Sequence, residues 1–285
     1  MTQQRALTAS SDCPTILNRR GTGNRPSNDT HGAKGEPMDH AVVTRVGLLD
    51  GFTLELQGVG RDAAPELPRT VQRLIAHLSL TRRPARTAIA GKLWPEVTEE
   101  HAHGSLRSSL WRVHKVAPGL ITVSGGTLSI ARDVLVDVHE LVAWARQALD
   151  PSCSATDVLA AGDLGLPGEL LPGWYEDWVL LERERLRQLR MHALEALAEK
   201  YAAAGRYGEA VQAAYAAVRA EPLRESAHRT VVRVHLAEGN VAEAVRAYES
   251  FHEMLADEMG AAPTPQMRRL VDNLPGRRAT AAIRS

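Results

Sequence analysis

Aromatic residues are scarce in this chain, only 4% of it. Any core must rest on Leu, Val and Ala, and small apolar side chains of that kind suit closely stacked helices. Cysteine is scarcer still. The two present, Cys13 and Cys153, form no CxxC pair, so no disulfide framework is expected and a reducing cytosol fits. No run reaches the roughly 18 apolar residues of a membrane helix. The first 30 residues hold no apolar signal stretch, so a soluble cytoplasmic protein is expected.

Signatures of catalysis are missing as well. There is no GxxxxGK(S/T) phosphate loop and no GxSxG nucleophile elbow. His139-Glu140 and His252-Glu253 begin an HExxH pattern, but Ala143 and Ala256 stand where the second zinc ligand must be. His101, His103 and His114 have no cysteine nearby and no carboxylate at ligand spacing, so hydrogen bonding or phosphate contact is expected of them instead of metal. No enzyme activity, metal or cofactor is expected.

What the chain does have is length and a charge asymmetry. Its 285 residues allow two domains. The net charge is zero, yet residues 69–116 carry nine Lys or Arg against three Asp or Glu. Residues 163–274 carry thirteen against eighteen. A basic block before an acidic one suggests that the first meets a polyanion and the second does not.

Residues 1–40 are polar and without period, and read as a disordered tail. In VVTRVGLLDGFTLEL (42–56), two β-rich runs flank Asp50-Gly51, a hairpin signal. Val71, Leu74, Ile75 and Leu78 recur at helical spacing over 69–80, and Arg82-Arg83-Pro84 ends that helix. Thr87 is placed to cap a short second helix that stops at Pro95. A third is expected from about His101 to Val116, then a hairpin around Gly125-Gly126. Sheet, three helices and hairpin make a winged helix-turn-helix, expected over 41–136.

On the third helix, Leu106, Leu110 and Val113 form the core face. The opposite face carries His101, Ser108, Trp111 and Lys115, flanked by Arg107 and Arg112, and reads as free of carboxylates. Arginine bonds guanine edges bidentately in the major groove, while Lys and Ser bond phosphates or bases. These residues, with Arg132 after the hairpin, are the candidate DNA contacts. Trp111 is expected to pack against the wing or the second domain, with contact to thymine methyls or sugar as the other reading.

Beyond Val138 the pattern is helical, and it repeats. Ala204-Gly205-Arg206 aligns with Glu238-Gly239-Asn240, and Glu209-Ala210-Val211 with Glu243-Ala244-Val245, an offset of 34. That is the TPR period. Helices over 138–148 and 174–189 are expected to complete the stack, since one repeat cannot bury its own apolar face. The fold class expected is mainly α with small β elements: a winged helix, then a TPR-like repeat domain over 137–274 and a flexible tail at 275–285. A TPR-like adaptor without specific DNA binding is the alternative.

Three stretches carry a family resemblance: KLWPEVTEEHAHGSLRSSLWRVHKV (92–116), LPGWYEDWVLLERERLRQLR (171–190) and AVRAEPLRESAHRTVVRVHLAEGNVAEAVRAYE (217–249). The chain resembles the SARP-type antibiotic regulators, which join an OmpR-like winged helix to a bacterial transcriptional activator domain. The resemblance implies an activator of secondary metabolism that binds direct repeats in double-stranded promoter DNA. It implies self-association there and recruitment of RNA polymerase. It also implies a polymerase contact in the loop before the third helix, where Glu96, Glu99 and Glu100 stand. No room for the nucleotide-binding domain of larger relatives is seen, so ATP-driven control is not expected. Trp174, Tyr175 and Trp178 are expected to pack within the activator domain or at its boundary. A fragment over 38–137 is expected to keep some DNA affinity.

Overall fold

The computed structural model describes residues 44–56, 66–159, 168–272 and 274. The tails expected at 1–40 and 275–285 lie outside them. Two compact units form. The described part of one is 44–56, 66–141 and 168–184; that of the other is 142–159, 185–272 and 274.

In the first unit β1 (Arg45–Gly47) pairs antiparallel with β2 (Thr53–Glu55), Val46 facing Leu54. Asp50 and Gly51 turn between them with φ of 62° and 130°, the left-handed region that Asp-Gly turns favour. Three helices follow, α1 (Arg69–Leu80), α2 (Arg86–Leu93) and α3 (Glu99–Val116). Then comes the hairpin β3 (Ile121–Ser124) and β4 (Thr127–Ile130), turning through Gly125-Gly126 at φ of 55° and 79°. A last strand, β5 (Leu135–Val136), joins β1 in parallel. Two residues are too short for alternation to show, which is why the sequence pattern missed it.

Val71, Leu74, Ile75, Ile89, Leu93, Leu106, Val113 and Leu128 form this unit's core. Each such side chain stabilises the fold by about 1.5–3 kcal/mol on burial. The buried Asp137 fastens the sheet: its carboxylate accepts from the amides of Leu48 and Leu49, both at 2.8 Å, and of Val138 at 2.7 Å. Two helix starts differ from expectation. Ala85 is the N-cap of α2, so Thr87 lies inside the helix and caps nothing. The third helix begins at Glu99 after Thr98, which puts Glu99 and Glu100 in its first turn. Carboxylates there complement the helix dipole.

Residues 168–184 return to this unit as a strap. Leu171 donates to the Leu48 carbonyl at 2.8 Å, and Asp50 to that of Glu169 at 3.0 Å. The Arg69 guanidinium lies 3.5 Å over the Trp174 ring, and Phe52 stacks with the same ring, centroids 6.4 Å apart. Arg73 pairs with Glu176 at 3.0 Å. Trp178 meets His77 edge-on, centroids 5.2 Å apart. Trp174 and Trp178 are therefore buried against the winged helix, the boundary position of the two expected, while Tyr175 is 78% exposed. The strap keeps its shape through Arg183, which donates to the carbonyls of Leu170, Leu171 and Trp174 at 2.8–3.0 Å.

The second unit is helical. It holds the later part of α4 (Asp137–Leu149), α5 (Ala155–Leu159), most of α6 (Asp177–Ala203), α7 (Tyr207–Ala220), α8 (Glu225–Glu238), α9 (Val241–Met259) and α10 (Pro265–Val271). Gly205 and Gly239 sit at the two repeat turns with φ of 73° and 85°. Ala210, Ala213, Ala214 and Ala217 of α7 are fully buried, which lets helices approach closely. The helix expected over 174–189 starts at Asp177 and runs on to Ala203, because 171–176 are taken by the strap. Glu225 ties α10 to α8 by accepting from the Thr264 amide at 2.8 Å while pairing with Arg229. Cys153 is buried, and Cys13 lies outside the described residues. Among the described residues no helix is long and apolar enough to cross a membrane.

Candidate nucleic-acid interface

The helix α3 packs its Ala102, Leu106, Ser109 and Val113 side inward, against α1 and α2. Its 18 residues make about five turns, so an outward strip of roughly 27 Å follows from the 1.5 Å rise. His101, Arg107, Ser108, Trp111, Arg112 and Lys115 are all exposed on it. A cavity of about 530 Å³ opens along one flank, lined among others by Trp94, Glu100, His101, Arg107, Ser108 and Arg112.

The contacts of these side chains are local. Thr98 Oγ1 and His101 Nδ1 lie 2.7 Å apart, so His101 is held at the helix start. Trp111 is 63% exposed, with Lys115 Nζ 5.5 Å from its ring centroid one turn on. It does not pack on the wing. Arg107 and Arg112 make no ion pair among the described residues. The face is less one-signed than the sequence suggested. Because α3 starts early, Glu100 lines the cavity beside His101, and Glu99 Oε1 approaches His103 Nε2 at 3.6 Å. Only Glu96 of the three acids remains in the loop before the helix.

The wing stands on the same unit. Its strands are locked by Thr122 and Ser129, whose hydroxyls lie 2.8 Å apart, and by Thr127 Oγ1 donating to the Ser124 carbonyl at 2.6 Å. Arg132 is exposed in the turn that follows β4. Arg82, Arg83 and Arg86 are further cations of this unit. By sequence pattern the first two mark only a helix break; the signal that could have found all three was the charge run itself.

A basic helix exposed between a buried core and a β-hairpin wing, with a helical-repeat unit after it, defines a winged helix-turn-helix protein with a TPR-like domain. Comparison with known proteins agrees. Residues 136–274 match the family described as bacterial transcriptional activator domain. The regulatory protein AfsR of Streptomyces coelicolor is 32% identical over 207 residues, 67% of this chain and 20% of its own length. The AfsR of Streptomyces griseus is 30% identical over 67% of this chain and 21% of its own. This chain thus spans about a fifth of the length of these relatives. Among solved structures, Mycobacterium tuberculosis EmbR in complex with a low affinity phosphopeptide superposes with a TM-score of 0.63 at 18% identity, over 85% of this chain and 69% of that one. Residues 136–274 carry the bacterial transcriptional activator domain, and the chain is similar to the SARP-type regulators.

Proposed function

We propose that this chain is a transcriptional regulator that binds promoter DNA through α3 and its wing. The observation that carries this is the exposed side of α3, where Arg107, Arg112 and Lys115 stand with no carboxylate partner among the described residues. An α-helix of this width fits the major groove, where arginine reads guanine O6 and N7. Trp111, exposed beside Lys115, offers an apolar face to thymine methyls or sugar. Ser108 and His101 supply shorter polar contacts, and Arg132 reaches a phosphate.

The acidic repeat unit is repelled by phosphate, so its role is protein contact. It supports self-association on adjacent direct repeats and recruitment of RNA polymerase, as the activator family suggests. Glu96, Glu99 and Glu100 offer a second, acidic contact for a basic polymerase surface. A secondary-metabolite pathway is the target class, acting on the nucleoid in the cytoplasm.

Binding of the intact chain to its genomic sites, mapped first, tests the reading. Arg112→Ala is expected to lose about 1–3 kcal/mol at a mapped site and to relax base preference there. Lys115→Ala is expected to weaken all sequences alike. Unchanged affinity in both variants, with the fold intact by circular dichroism, would sink the assignment.

A further inference from the structure

Between α1 and α2 the chain does more than turn. Ala85 forms an antiparallel bridge with Thr127 of the wing. The Arg86 amide donates to the Gly126 carbonyl at 3.3 Å, and the Leu128 amide to that of Pro84 at 3.1 Å. The connection is therefore tied by its backbone to the wing, next to the Gly125-Gly126 tip. Three arginines, Arg82, Arg83 and Arg86, stand on it, and none has a carboxylate partner among the described residues. Arg82 and Arg83 are exposed.

Arg83 adds an independent sign. Its φ is 48°, a left-handed conformation that glycine adopts freely and arginine only at a cost. A strained backbone persists when the side chain serves a purpose that the cheaper residue cannot. Here the side chain buries nothing and pairs with nothing in the described chain. What a strained, exposed, unpaired guanidinium beside a wing tip can still do is bind an anion brought from outside.

We infer that Arg82, Arg83 and Arg86 form a phosphate-binding patch built onto the wing, which grips the backbone of duplex DNA while α3 lies in the groove. This rests on the DNA-binding reading above and adds to it a second, sequence-independent hold. Guanidinium binds phosphodiester oxygens with paired N–H donors. Because the patch is hydrogen-bonded to the hairpin, it is carried with the wing as one piece. Its contacts carry no base information, so they position the protein and leave selection to α3.

The experiment uses the full chain and a mixed-sequence duplex of about 30 base pairs, with affinity followed by fluorescence anisotropy from low to moderate salt. Each phosphate that the protein ceases to neutralise lowers the magnitude of the log–log salt slope by about 0.9. Arg83→Gly is the telling variant. It removes the guanidinium and relieves the left-handed strain, so its melting temperature is expected to stay or rise while its affinity falls and its slope drops by about 0.9. Arg83→Lys, which keeps the charge, should restore most of the slope. The double variant with Arg86→Ala should show about twice the drop in slope. If the wild type binds and Arg83→Gly and the double variant keep its slope and affinity, the patch is overturned and the DNA reading stands. If the wild type binds neither this duplex nor its mapped sites, the DNA reading falls, and the patch with it.

Discussion

His77 shows how a single residue reports on the first unit. It lies in α1 with its ring against Trp178, and its Nδ1 has no hydrogen-bond partner among the described residues. Burial first, and the nearby Lys92 charge second, lower its pKa from 6.5 to about 4. The folded state thus holds the neutral ring, and the unfolded chain takes up the proton first. Stability contributed by the neutral form is complete above pH 6.5 and is lost as pH falls from about 6.5 to about 4. The full loss is on the order of 3 kcal/mol. His77→Leu is expected to abolish most of that slope, read as urea midpoints at pH 7.5 and 4.5. Tryptophan fluorescence is the right signal, because Trp94, Trp111, Trp174 and Trp178 all belong to this unit and only Trp144 to the other. Equal acid sensitivity in both proteins would refute the assignment. A residue-scale role of this kind was hidden in the sequence: His77 stands on the apolar stripe of α1, but only its neighbour Trp178, about a hundred positions away, makes it a buried base. The candidate DNA contacts were legible residue by residue, since helical period alone puts Arg107, Trp111 and Lys115 outward. Glu100 was misread, because α3 already begins at Glu99, ahead of the apolar period that marks the rest of the helix.

At the scale of elements, the strap is what the sequence concealed. The stretch LPGWYEDW carries the family resemblance, yet its tryptophans belong to the fold of the winged helix. Its backbone has no helix or strand ladder long enough to hold it, and Leu171 adopts a φ of 45°. The bonds it lacks come from Arg183, three carbonyls at 2.8–3.0 Å, and from Glu169, which pairs with the same guanidinium at 2.8 Å. Hydrogen bonds from a charged donor are worth about 1.5–3 kcal/mol each before the replacement regains water. Arg183→Met, which keeps much of the stem, is expected to cost about 2–4 kcal/mol and to raise hydrogen exchange at the Leu171 and Asp50 amides. Stability within about 0.5 kcal/mol of wild type would show that the strap is held by its tryptophans alone. Helix α1 by contrast was legible from its apolar period, and α7 and α9 from the 34-residue repeat. The start of α6 was not, because Trp174, Tyr175 and Glu176 lie in a strap held by tertiary contacts and the helix begins only at Asp177.

For the whole molecule the consequence is that the winged-helix unit is discontinuous in sequence. A fragment over 38–137 leaves out the strap, and with it the cover over Leu48, Phe52 and His77. That fragment is expected to melt well below a 38–184 fragment and to bind a hydrophobic dye, and to recover neither property at lower temperature; matching melting curves would contradict this. The expectation that 38–137 keeps DNA affinity on its own is thereby weakened on physical grounds, whatever α3 does in the intact chain. What the sequence by itself determined is the local order: hairpin, three helices, wing, and a 34-residue repeat with glycine at its turns. Those follow from period, turn chemistry and charge, which act over a few residues at a time. Tertiary structure alone decided which distant segments close the units. The parallel pairing of β5 with β1, the Asp137 carboxylate under Leu48 and Leu49, and the return of 168–184 to α1 join residues roughly 90 to 125 positions apart. No local pattern encodes such contacts, because their free energy comes from burial and hydrogen bonds that exist only once the chain has folded back on itself.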